Sequence, residues 1–403
     1  MFKTYVSRDK YLDKIKPFMD KDIIKVIIGQ RRVGKSYFQR QIMDFLKNNR
    51  DVKDENIIYV NKELHEFETI KTHSDLMKHI ASKVKGKKKY YVFVDEVQEI
   101  ESFEKALESL QASGNFDIYC TGSNSNLLSS ELATFLSGRF VEIKIFSLSY
   151  DEFLIFHALE NNNESFLKYI KYGGMPFLRN LELTDETVYE YLRNIYSTIL
   201  FKDIVQKYSV RNVNFLERLV EYLADNTGSL VSAKSISDFL KSQKLSISPS
   251  VILNYLSHLA GAMFIFKVRR SDIFGKRVFE IREKYYFEDL GLRHSIIGYK
   301  HPDIGKILEN MVYIHLKING YTVTVGEFKN TEIDFVAEKG GKRIYVQVAY
   351  LLHDKKTVER EYGNLLAIND NYPKYIVSMD EGAGGGEKGI EHVNIRNFLS
   401  KQC

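Results

Sequence analysis

The first 150 residues alternate between short, nearly continuous apolar runs and stretches with helical periodicity. Residues 23–28, 90–94 and 116–120 are rich in Val, Ile, Tyr and Phe and too short for buried helices. Each predicts a strand buried on both faces. Residues 37–46 repeat apolar positions at helical spacing, so the order strand, loop, helix predicts an α/β core with a parallel sheet. Tyr189, Leu192 and Ile195 then mark one face of a helix. From 215 the periodicity predicts three more helices, 215–225, 232–241 and 249–259. Two apolar strands follow at 262–268 and 277–281, around a polar turn. The last hundred residues read as a helix over 307–318 and strands at 322–325, 332–336 and 343–349.

The chemistry lies where the apolar runs stop. Run 23–28 ends at Gly29-Gln30-Arg31-Arg32-Val33-Gly34-Lys35-Ser36, and Tyr37 opens the helix. Glycines let backbone N–H groups turn toward phosphates and a helix N-terminus adds positive potential. Residues Gly29 to Tyr37 are therefore expected to hold ATP, with Lys35 on the β and γ phosphates and Ser36 on Mg2+. Run 90–94 ends in Asp95-Glu96. Asp95 would hold the Mg2+ through water, while Glu96 would orient and deprotonate the attacking water; the plainer alternative is a polar strand end. The third run ends in Thr121-Gly-Ser123-Asn124, where Ser123 or Asn124 suits a γ-phosphate sensor or, alternatively, the N-cap of a helix over 127–135. Arg139 is either an arginine finger for a neighbouring subunit, which implies a homo-oligomer, or a surface arginine.

Composition narrows the setting. A length of 403 residues predicts two or three domains, and 44% hydrophobic with 28% charged residues is the balance of a folded chain. Two distant cysteines, Cys120 and Cys403, support neither a disulfide framework nor a cysteine metal site. No window is apolar enough for a membrane span, and the N-terminus has no signal-peptide pattern, so a soluble cytoplasmic protein is expected. A net charge of +5 is too mild to mark a nucleic-acid binder.

The loop Gly29 to Ser36, together with Val94-Asp-Glu-Val-Gln98, Thr121-Gly-Ser-Asn124, Ser137-Gly-Arg139, Leu148-Ser-Tyr-Asp-Glu-Phe153 and Tyr172-Gly-Gly-Met-Pro176, resembles the prokaryotic AAA-type ATPases that carry a C-terminal DUF4143 domain. The resemblance spans nearly the whole chain. It implies an ATPase with an AAA-like core and leaves the biological process open.

Three helices and a two-stranded hairpin are the order of a winged helix, with Ser250, Asn254, Ser257 and His258 on the third helix. Arg269, Arg270, Lys276, Arg277 and Arg282 on the hairpin suit DNA phosphates; a protein-binding module is the alternative. The C-terminal helix and strands resemble the PD-(D/E)xK nuclease core. Glu309, Asp334 and Gln347 match its metal positions, but Ala349 stands where a lysine is needed. Lys342 is a candidate replacement, and catalytic degeneration is expected. The domains read as 1–180 ATPase, 181–204 helical linker, 205–295 winged helix and 296–403 nuclease-like. The expected function is Mg2+-dependent ATP hydrolysis coupled to DNA. A nucleotide switch acting on a protein partner and a metal-dependent nuclease are the alternatives.

Overall fold

A computed structural model describes residues 5–124, 138–274, 278–329, 331–352 and 355–400, apart from the side chains of 278–281 and 387. The chain divides into two compact units, Met1–Phe146 with Gly261–Met263, and Ser147–Ala260 with Phe264–Cys403.

The first unit contains α1 (Asp9–Ile15), β1 (Ile24–Ile28), α2 (Lys35–Arg50), β2 (Ile57–Asn61), α3 (His73–Lys83), β3 (Tyr90–Asp95), α4 (Phe103–Ala112), β4 (Phe116–Gly122) and β5 (Phe140–Lys144). The strands form one sheet in the order β2-β3-β4-β1-β5, and every pairing is parallel. Val26, Ile28, Val92, Val94, Ile118 and Cys120 pack with Leu107 and Leu110 into its core. All strands therefore end at one edge, and β4 separates β1 from β3. One charge inside an apolar run escaped the hydrophobic reading. Lys25 on β1 is fully buried in an ion pair with Asp117 on β4, whose carboxylate also accepts from Tyr119 Oη at 2.8 Å.

The second unit begins with α5 (Tyr150–His157), α6 (Asn163–Tyr172) and α7 (Asp185–Thr198), the last continuing into a π-helical segment, Ile199–Gln206. Next come α8 (Val213–Asp225), α9 (Ala233–Ser242), α10 (Pro249–Gly261), β6 (Ile265–Asp272), β7 (Val278–Phe287), α11 (Leu290–Ile297) and α12 (Ile304–Ile318). The remainder is β8 (Thr322–Phe328), β9 (Thr331–Lys339), β10 (Lys342–Val348), α13 (Lys355–Leu366), β11 (Lys374–Ser378), β12 (Gly386–Glu387), β13 (Ile390–Asn394) and α14 (Ile395–Ser400).

The expected helix, helix, helix, hairpin order occurs, but the hairpin is not a free wing. Eight strands form a single sheet in the order β12-β13-β11-β10-β9-β8-β6-β7, with β6 running parallel to β8 from Arg270 to Asp272. The free edge of β6 is satisfied by β8, and the ion pair Arg270–Glu327 and the Ser271–Thr324 hydroxyl contact at 2.9 Å reinforce the junction. Strand β7 also runs to Phe287, six residues past its expected end: the charged triplet Arg282-Glu283-Lys284 breaks the apolar pattern at an irregularity of the ladder, where the register with β6 shifts and pairing resumes at Lys284.

Candidate functional site

The loop after β1 has the backbone its glycines require. Gly34 takes a positive φ of 99°, and a side chain at Gly29 would run into the carbonyl oxygen of Ile145. Arg32 also adopts a left-handed conformation, at φ 70°. Arg8, an N-terminal residue that no motif pointed to, is buried and props the loop by donating to the carbonyls of Val33 at 3.0 Å and Phe146 at 2.9 Å.

Lys35 opens α2 with its ammonium folded onto the loop, donating to the carbonyls of Gly29 at 3.1 Å and Gln30 at 3.2 Å. The same ammonium lies 3.6 Å from Glu96 Oε1, so two sequence-predicted segments meet here. Gln30 is 1% exposed, and neither polar atom of its amide has a partner. A buried, unsatisfied amide beside a turned loop fits a polar ligand such as a polyphosphate. Ser36 is half-buried and Tyr37 is exposed. Arg31 is buried and lies 3.7 Å from Glu63.

Asp95 is fully buried at the end of β3, and Glu96 follows in a left-handed conformation at φ 53°. One hydroxyl fixes both. Thr121 Oγ1 donates to Asp95 Oδ1 at 2.5 Å and accepts from the Glu96 N–H at 2.9 Å. Tyr59 Oη reaches Asp95 Oδ2 at 3.4 Å from β2, and that carboxylate helps burial push the Tyr59 phenol up to about 12. Burial opposes charge on Glu96, but Lys35, the Gln98 amide, Arg31 and Ser123 outweigh it and hold the carboxyl below the usual range. Gln98 Nε2 donates to Glu96 and reaches Ser123 Oγ at 3.4 Å, linking the carboxylate to the candidate sensor. Ser123 and Asn124 are buried, while the helix proposed over 127–135 lies outside the described residues. Thr121, Gln98 and Tyr59 received no role from the sequence. Thr121 and Gln98 sit inside the motifs, but their function depends on strand order.

Arg139 is exposed, and its carbonyl accepts from Ile24 N at the start of β1. Five strand residues, roughly 16 Å, separate it from the loop, so it cannot serve the site of its own chain.

In the second unit Arg270 is tied to Glu327, and Arg269 and Arg282 are exposed. Lys276 and Arg277 lie outside the described residues. Ser250, Asn254 and Ser257 are exposed on α10, whereas His258 stacks on Tyr208 at 4.0 Å.

Glu309, Asp334 and Gln347 do converge, at a cleft of about 670 Å³ lined also by Glu332, Arg360 and Glu361. Gln347 Oε1 accepts from Asp334 N at 3.3 Å, and Asp334 Oδ2 accepts from Val348 N at 2.8 Å. Lys342 is no replacement lysine. It is exposed and opens β10, roughly 17 Å of strand from Gln347. Lys284 from β7 fills the cluster instead. Its ammonium is 2.7 Å from Glu309 Oε1, 2.7 Å from Glu332 Oε1 and 3.8 Å from Asp334 Oδ1. Burial alone would favour neutral Lys284, but the three carboxylates outweigh it and raise its pKa well above the ordinary range. Burial and the nearby Glu309 push the Asp334 carboxyl well up.

Comparison with known proteins agrees with this geometry in the first unit. An AAA domain matches residues 21–154, and a domain of unknown function, DUF8612, matches 163–303. Over 99% of its length the chain is 40% identical to the whole of an uncharacterized Haemophilus influenzae protein. It is 33% identical to an uncharacterized protein of Methanocaldococcus jannaschii, over 89% of this chain and 83% of that one. A solved Walker-type ATPase of Pyrococcus abyssi overlays with a TM-score of 0.49 at 16% identity, across 73% of this chain and 96% of that one.

Loop, parallel sheet and family match define a P-loop NTPase domain of the AAA type. The chain belongs to one family with the H. influenzae and M. jannaschii proteins. The accompanying domain is DUF8612 in place of the expected DUF4143. Tyr172-Gly-Gly-Met-Pro176 misled because it reports close backbone packing. Gly174 N donates to Asp289 Oδ2 at 2.7 Å, and a side chain on Gly174 would strike the Leu148 carbonyl. No helix among the described residues is long and apolar enough to cross a membrane.

Proposed function

We propose that the protein hydrolyses ATP at the site formed by the Gly29–Ser36 loop and the ends of β3 and β4. The observation that carries this is the 3.6 Å approach of the Lys35 ammonium to Glu96, which sets a phosphate-binding cation beside a charged base. Lys35 exchanges the Gly29 and Gln30 carbonyls for phosphate oxygens, and the loop N–H groups hold the same phosphates. Glu96 orients the attacking water and takes its proton. Thr121 keeps Glu96 in its left-handed conformation, and Gln98 couples it to Ser123. Ser36 and Asp95 would hold Mg2+, which neutralises phosphate charge and orients the terminal phosphoryl group.

Phosphate release with Mg2+ and ATP tests the reading. Glu96→Gln is expected to retain ATP binding and lose about 10²- to 10³-fold in turnover, whereas Lys35→Ala loses binding. A Glu96→Gln protein that turns over at the wild-type rate sinks it.

For the output we favour DNA, on the exposed Arg269 and Arg282 of the hairpin that follows three helices. Duplex, single-stranded and branched DNA are expected to stimulate hydrolysis, with Arg269→Glu weakening the effect. Absence of both binding and stimulation at moderate salt leaves the switch reading, in which a protein partner distinguishes the ATP and ADP states. Arg139, exposed at the far end of the sheet, suits action on a second copy. Turnover per chain then rises with protein concentration, and Arg139→Ala removes the rise.

A further inference from the structure

The carboxylates of the second unit form a cluster that needs a cation. Glu309, Glu332 and Asp334 lie around one point, and isolated carboxylates in a buried site repel one another strongly. A hydrolytic site of this layout would meet that need with a divalent metal ion.

One oxygen on each of Glu309, Asp334 and Gln347 that would ligate a metal is already in use. Glu309 Oε1 accepts from both Lys284 and Tyr286 Oη. Asp334 Oδ2 accepts from Val348 N, and its Oδ1 faces Lys284. Gln347 Oε1 is taken by Asp334 N. Lys284 is 3% exposed and enters from a strand locked into the sheet. A divalent ion would have to displace an ammonium held in the cluster by its own chain, at a high effective concentration, then break these bonds. The groups present do not fit a metal.

We propose that the Lys284 ammonium permanently takes the place of a divalent cation, making Glu309, Glu332 and Asp334 a metal-free ion centre that joins β7 to α12 and β9. On this reading the cluster does not hydrolyse phosphodiesters. The counter-charge of the carboxylates comes from a side chain of the same sheet.

Mn2+ titration followed by electron paramagnetic resonance, without nucleotide, tests this on the full chain. Wild type and Asp334→Asn are expected to bind identically. Lys284→Met is expected to gain one Mn2+ per chain, and the gain should vanish in Lys284→Met with Asp334→Asn. Circular dichroism reports whether each variant folds. A wild-type Mn2+ site lost in Asp334→Asn overturns the proposal, as does Mg2+-dependent DNA cleavage abolished by Asp334→Asn. So does a folded Lys284→Met protein that gains no ion. If Lys284→Met does not fold, the wild-type and Asp334→Asn pair still decides.

Discussion

At the residue scale the ATP site turns on how few side chains fix the two acidic groups. Glu96 occupies a left-handed conformation that costs a non-glycine residue on the order of 1 kcal/mol or more, and the Thr121 hydroxyl helps hold it there while also bonding Asp95. Thr121→Val leaves a buried N–H and a buried carboxylate each short of a partner. Turnover is expected to fall at least about tenfold, the cost of one lost hydrogen bond to a charged group. Thr121→Ser keeps the hydroxyl and should restore most of the rate. Equal rates in the Val and Ser variants would deny the hydroxyl its role. The sequence displayed Thr121 inside a motif but gave the polar role to its neighbours, since no local pattern says which side chain of a strand end faces the adjacent strand.

At the element scale, β4 is the organising piece of the first unit. Placed between β1 and β3, it carries Thr121 to Asp95 at one end and Asp117 to Lys25 in its interior. Burial works against charge on Lys25, and the Asp117 carboxylate counters it. Asp117→Asn leaves the lysine buried without its counter-ion and is expected to cost about 3–5 kcal/mol. Urea unfolding reads this directly, and a shift under 1 kcal/mol would mean that Tyr119 or water takes over the partner's role. Strands β1, β3 and β4 were legible because runs buried on both faces leave a continuous apolar signature. The full length of β7 was not. Glu283 and Lys284 are buried as ion pairs, and a charge buried against a distant partner looks the same in sequence as a charge in water.

At the scale of the whole molecule, the second unit carries an acid sensitivity. Burial and the neighbouring Arg293 hold His294 down to about 3, and burial and Arg179 hold His157 down to about 4. Below pH 6.5 the unfolded chain takes up these protons and the folded chain refuses them, so stability falls as pH drops toward 4. The slope is up to about 1.4 kcal/mol per pH unit for each histidine. Thermal melts at pH 7 and 5 should show the loss, and His294→Gln should flatten it; a slope unchanged by that variant removes His294 as the cause. The sequence by itself determined the phosphate loop, the paired acids Asp95 and Glu96, and the α/β character of the first unit. These depend on backbone freedom, helix ends and uninterrupted burial within a few neighbouring residues. Only the tertiary structure decided that Thr121 serves both acids, that the hairpin belongs to the eight-stranded sheet, and that Lys284 completes the cluster of Glu309 and Asp334. Each of those joins residues 25 or more positions apart, and such meetings follow from strand order and register, which no local pattern encodes.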